Sequence, residues 1–124
     1  MPVTFKRESA FYKVPPLSAK IPQAPAEILM ADVFGTDPET KAANPLSAMM
    51  FVMEATKELV PSPPYEYDET GIVLKGTFVI SDETGTTVTL NAGDTFWIAR
   101  GSKTSFGTPN FCVCYKVTPR YNKY

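Results

Sequence analysis

Histidine is absent from all 124 residues. That absence removes every Ser-His and Cys-His nucleophile pair and every imidazole metal ligand. Cysteine is nearly absent too, with only Cys112 and Cys114. At i, i+2 on a strand the two thiols would share a face, a poor geometry for an intrachain disulfide, so free buried thiols and a reducing, cytoplasmic setting are expected. No apolar run approaches the ~20 residues that span a bilayer, and the first residues, MPVTFKRESAFYKVPP, lack the apolar centre of a signal peptide. Charge of one sign is also missing. Twelve basic and thirteen acidic residues leave a formal charge of −1, and the lysines and arginines are scattered. Nucleic acid and membrane surfaces are therefore not the expected partners. There is no G-x-S-x-G, no P-loop and no dinucleotide fingerprint.

Proline is what the chain has in quantity. Ten of its twelve prolines fall within residues 1–64, where Pro15, Pro16, Pro22, Pro25, Pro38, Pro45, Pro61, Pro63 and Pro64 forbid long helices. Glu27 to Phe34 is the first apolar segment, and Gly35 to Asn44 follows as a polar loop with an Asp37-Pro38 turn signal. Ser47 to Glu58 has a composition that suits a helix and an apolar centre that suits a buried strand; the flanking prolines favour the strand. Beyond Pro64 the pattern is β throughout. Strands are expected at Ile72 to Leu74, Thr77 to Ile80, Thr87 to Leu90, Thr95 to Ala99 and Phe111 to Val117. Turns are expected at Lys75-Gly76, Ser81 to Thr86 and Asn91 to Asp94. The expectation is one all-β domain over 1–124, a sandwich or barrel, with 1–45 as arm and first strands, 46–119 as core and 120–124 as tail.

Two stretches carry a resemblance. Glu69 and Gly76 have the spacing of the glutamate and glycine in the first cupin motif, and Gly93 and Gly101 fit the two glycines of the second. Tyr67-Asp68-Glu69, Val73-Leu74-Lys75-Gly76, Ala92-Gly93-Asp94, Ile98-Ala99-Arg100-Gly101 and Phe106-Gly107-Thr108-Pro109 resemble, in order and spacing, the ethanolamine-utilisation group of small cupins. The resemblance runs from about Ser47 to Pro119 and implies a single-domain jelly-roll β-barrel that often pairs as a homodimer. Many cupins hold a metal on three histidines and one glutamate. At those positions this chain has Pro63, Tyr65, Glu69 and Thr104, so no metal and no other cofactor is expected. Epimerases of related fold depend on a histidine base that is missing here.

What is left is a pocket with few polar groups. A lone Glu69 inside an apolar barrel would have its charged form disfavoured, which suits a general acid or base. Tyr65 and Tyr67 would polarise a carbonyl, and Thr104 would orient the substrate. Phe51 and Met53, with Met49 and Met50, would wall an apolar cavity or serve as core. Phe96 and Trp97 face opposite ways, so one of them lines the pocket or a dimer surface; Trp97 is the candidate for ligand contact. The reading is a cofactor-free isomerase, cyclase or lyase acting on a small, largely apolar molecule. Its rival is a non-catalytic binding or assembly module in which Glu69 accepts hydroxyl hydrogen bonds or pairs with Arg100 or Lys116, tying strands together.

Overall fold

A computed structural model describes residues 3–8 and 14–124. It contains eight strands and, among the described residues, no α-helix: β1 Ile28–Gly35, β2 Ser47–Glu54, β3 Val60–Pro61, β4 Glu69–Ser81, β5 Thr87–Asn91, β6 Thr95–Ile98, β7 Ser105–Gly107 and β8 Phe111–Thr118. The neighbour order is β1-β2-β8-β4-β7-β3, with β5 and β6 also pairing β4, and every pair is antiparallel. This curled sheet is the expected all-β jelly roll, and Ser47–Glu54 is a strand, as its flanking prolines suggest.

One expectation fails instructively. Lys75-Gly76 does not turn the chain back between two strands; a single 13-residue strand runs straight through it. Gly76 takes φ +76°, and a Cβ there would lie 2.0 Å from the Phe111 carbonyl oxygen. The backbone of β8 crosses so closely that only glycine fits. Together with the register shift between Val73 and Lys75, this bends β4. Its first half pairs β6 and β8, and its second half pairs β5 and β7. β4 is the hinge of the barrel.

The other turns form where the sequence put them. Gly93 has φ +95°, and Asp94 Oδ2 accepts the Asn91 N–H at 2.8 Å, so Asp94 is a turn residue. Asp82 Oδ1 accepts the backbone N–H groups of Thr84 and Thr86 in the β4–β5 connection.

Inward alternation builds the core. Phe51 and Met53 on β2, Val73, Phe78 and Ile80 on β4, Ile98 on β6, Phe106 on β7 and Cys112 and Cys114 on β8 form one buried cluster. Phe78 meets Phe51, Phe96 and Phe106 at ring-centroid separations of 5.9, 5.6 and 5.2 Å, within the range of favourable aromatic pairs. Each fully buried phenylalanine contributes about 1.5–3 kcal/mol through burial alone. Both cysteines are free and buried. The Cys114 thiol is pushed up by its hydrogen bond with Cys112 and by burial, which makes it inert.

Residues Arg120 to Tyr124 pack back on β1. Arg120 grips Asp32 with two hydrogen bonds, at 2.8 and 3.0 Å. The backbone N–H groups of Lys123 and Tyr124 reach the same carboxylate at 2.7 and 2.8 Å. Burial works to raise the Asp32 carboxyl, but these donors outweigh it and hold the group below its ordinary range.

Candidate functional site

The inner face of β8 follows a strict alternation: Cys112, Cys114, Lys116 and Thr118 are buried while their neighbours are partly exposed. Lys116 is opposite Met49 on β2 and Gly71 on β4. Gly71 carries no side chain, and a Cβ there would strike the Phe96 ring at 2.5 Å, so the glycine lets β6 close over the barrel. Glu69 opens β4 two residues before Gly71, on the same inward face. Lys116 and Glu69 therefore meet across the strand pair, Nζ to Oε2 at 3.5 Å, with side chains 3% and 6% exposed.

Glu69 is thus inward, as expected, but it is not a lone carboxylate; its partner is Lys116 rather than Arg100. The pairing is incomplete. Oε2 is buried and has no hydrogen-bond partner among the described residues. The ammonium instead lies against aromatic faces, 3.7 Å from the Phe51 centroid, 4.8 Å from Phe106 and 5.6 Å from Phe78.

Tyr65 reaches the same place from the loop before β4. Its backbone is pinned to the opposite loop by the Tyr65 N–H to Ser102 and Gly101 N–H to Tyr65 bonds, at 3.2 and 2.8 Å. Burial first, then the charge and hydrogen bonding of Glu69, push its phenol well above the usual tyrosine range, while Thr104 and Ser62 oppose the rise. Tyr65 is therefore a neutral O–H donor at any physiological pH. Thr104 is buried and donates to Ser62 Oγ at 3.3 Å, behind Tyr65.

A cavity of about 570 Å³ opens above these groups. Glu69, Lys116, Phe51, Phe106, Ile28 and Met49 are its buried floor, and Tyr65 and Tyr67 lie along its wall. Tyr67 is half-exposed and makes no hydrogen bond among the described residues. Met53 is fully buried core below the floor and does not line the cavity. Trp97 is misplaced by the sequence reading: it is 65% exposed and points away, and Phe96 is the ring that turns inward. Alternation along β6 allows either choice, and Gly71, by accepting Phe96, makes it.

Lys116, for which the sequence predicts only a strand tie, is the further residue that the structure brings to the candidate site. The signal was in FCVCYKVT, where period two sets a lysine on the same face as two cysteines. The side chains at the expected metal-ligand positions do not fit a metal. One carboxylate, one phenol and one hydroxyl are a poor donor set, and a fixed ammonium 3.5 Å from the carboxylate repels a cation. Among the described residues there is no cluster of three cysteine, aspartate or glutamate ligands anywhere else.

The EutQ-like cupin domain model matches residues 60–113. Among solved structures the chain is similar to a putative ethanolamine utilization protein Q (EutQ) from Salmonella typhimurium, at 25% identity. That match covers 77% of this chain and 71% of that one, with a TM-score of 0.63. The EutQ protein of Clostridium difficile is 26% identical over 77% of this chain and 68% of that one, with a TM-score of 0.61. KdgF from Halomonas sp. shares the fold at 21% identity, covering 79% and 85% of the two chains with a TM-score of 0.59. No curated protein matches the sequence. Motif, topology and neighbours agree: the chain has a cupin fold, and its residues 60–113 are similar to the EutQ-like cupin domain.

Proposed function

We propose that this cupin binds a small, largely apolar organic molecule in its barrel and moves a proton on it without metal or cofactor. The outcome would be isomerisation, cyclisation or elimination, with Glu69 as the general base and acid. The observation that carries the reading is Glu69 Oε2, a buried carboxylate oxygen without a hydrogen-bond partner among the described residues, in the floor of a 570 Å³ cavity. An orphaned buried acceptor is costly in a fold of this kind, and a reacting C–H or O–H would satisfy it. Tyr65 supplies a neutral donor beside it. Leu17, Ile21 and Met30 give the cavity its apolar wall.

The test is a turnover assay on metal-stripped protein, wild type beside Glu69→Gln, with small-molecule extracts followed by mass spectrometry. One compound should fall and another rise with wild type only. Equal profiles would end the catalytic reading. The Glu69–Lys116 pair itself favours a second reading, since it ties β4 to β8 as a structural bridge would. A compound retained through native mass spectrometry but not converted would make the barrel a binding module.

The reading extends to a cytoplasmic homodimer. Buried free thiols suit a reducing compartment, and Trp97 on β6 and Leu74 on β4 leave apolar surface for a second copy. A monomer by light scattering would end the dimer.

A further inference from the structure

The ammonium of Lys116 is an unusual thing to keep in a barrel floor. Removing it from water costs several kcal/mol, offset here by ring faces and a single carboxylate. An ammonium carries three N–H donors, and ring faces accept them only weakly. The carboxylate at 3.5 Å does not complete a hydrogen bond either, since Oε2 is left without a partner among the described residues. Donor and acceptor thus sit side by side in the cavity floor, each with bonding capacity to spare, and the Tyr65 hydroxyl, which interacts with Glu69, lies along the wall beside them.

That trio matches one reaction pattern. A carbonyl oxygen needs donors where negative charge develops, and the carbon beside it needs a base. Resting on the reading of Glu69 given above, we infer that Lys116 is the electrophilic group of the site and that the ligand is a small enolisable carbonyl compound. Its oxygen is held by the Lys116 ammonium and the Tyr65 hydroxyl. The Cα–H bond breaks, the proton goes to Glu69, and the bonding pair becomes the C=C of an enolate whose charge rests on that oxygen. Return of the proton to another carbon completes an isomerisation; loss of a β-substituent, which takes the proton, completes an elimination. Atoms and electrons balance with no further reactant. The tethered ammonium, unlike a metal, needs no ligand set, which agrees with the failure of Tyr65, Glu69 and Thr104 to form one.

The probe is benzoylacetone, a small 1,3-diketone whose enolate and neutral forms differ in ultraviolet absorbance. Wild type should bind it and raise its enolate fraction at neutral pH at least ten-fold over free solution. Glu69→Gln should keep that enolate shift, because the neighbouring negative charge is gone, while losing turnover. Lys116→Met with Glu69→Gln removes both charges at similar volume, so it should fold even where Lys116→Met alone does not. It should bind only the neutral diketone. An unchanged enolate shift in that double variant would overturn the inference, as would a wild type that leaves the diketone neutral or unbound. The two claims part cleanly. A shift that needs Lys116, with turnover intact in Glu69→Gln, keeps the electrophile and removes Glu69 as base.

Discussion

Two ion pairs are buried among the described residues, and they are built to opposite standards. Asp32 receives both arms of Arg120 and two backbone N–H groups, all between 2.7 and 3.0 Å. Glu69 receives one ammonium at 3.5 Å and keeps an oxygen without a hydrogen bond among the described residues. The guanidinium's planar fork matches a carboxylate, whereas an ammonium is a point charge that adapts to its surroundings. The saturated pair fastens residues 120–124 to β1 and has nothing left to offer a ligand. Arg120 lines the same cavity as Glu69 and Lys116, but only the unsaturated pair presents it with a buried oxygen that has no hydrogen bond among the described residues. Equal burial with unequal satisfaction separates a structural bridge from a candidate site.

The largest test of this contrast is Arg120→Met. It strands the Asp32 carboxylate in the interior, and urea unfolding should show a loss of about 3–5 kcal/mol. A loss under about 1 kcal/mol would break the comparison at its firm end. Next comes reversibility. Lys116→Met alone should cost about 2–4 kcal/mol, and adding Glu69→Gln should bring stability back to within about 1 kcal/mol of wild type. Arg120→Met with Asp32→Leu should not recover, because the N–H groups of Lys123 and Tyr124 lose their acceptor. Equal recovery in both double variants would mean that the pairs are energetically alike.

The smallest effect is in pH. Asp32 titrates lower in the folded chain than in the unfolded one, so at acid pH the unfolded state binds more protons. Its contribution is fully present above the unfolded aspartate value, near 3.9, and is lost as pH falls through the lower folded value. Asp32→Asn should flatten that acid limb in a melting series from pH 5 to pH 2, while Glu69→Gln should leave its Asp32 component in place. A limb unchanged in Asp32→Asn would assign it to other carboxylates.

Much of the fold could be read in advance because its causes are local. Asn91-Ala92-Gly93-Asp94 makes its turn through one positive φ and one side-chain acceptor, both a few residues apart. Alternation in Phe111–Thr118 gave the strand and even its buried face. Lys75-Gly76 misled for the same reason: a glycine signals a special backbone conformation, and here the demand for it comes from Phe111, across the sheet.

The candidate site divides along that line. By itself the sequence determined that no histidine chemistry is possible, that Glu69 sits in a cupin motif, and that the chain is all-β, since composition and short-range spacing are enough for each. Tertiary structure alone decided that Lys116 is the partner of Glu69, that Phe96 rather than Trp97 turns inward, and that Arg120 is spent on Asp32. Those outcomes depend on register between strands separated by tens of residues. Register is set by the packing of the whole barrel, because a one-residue slip would send every inward side chain to the outside.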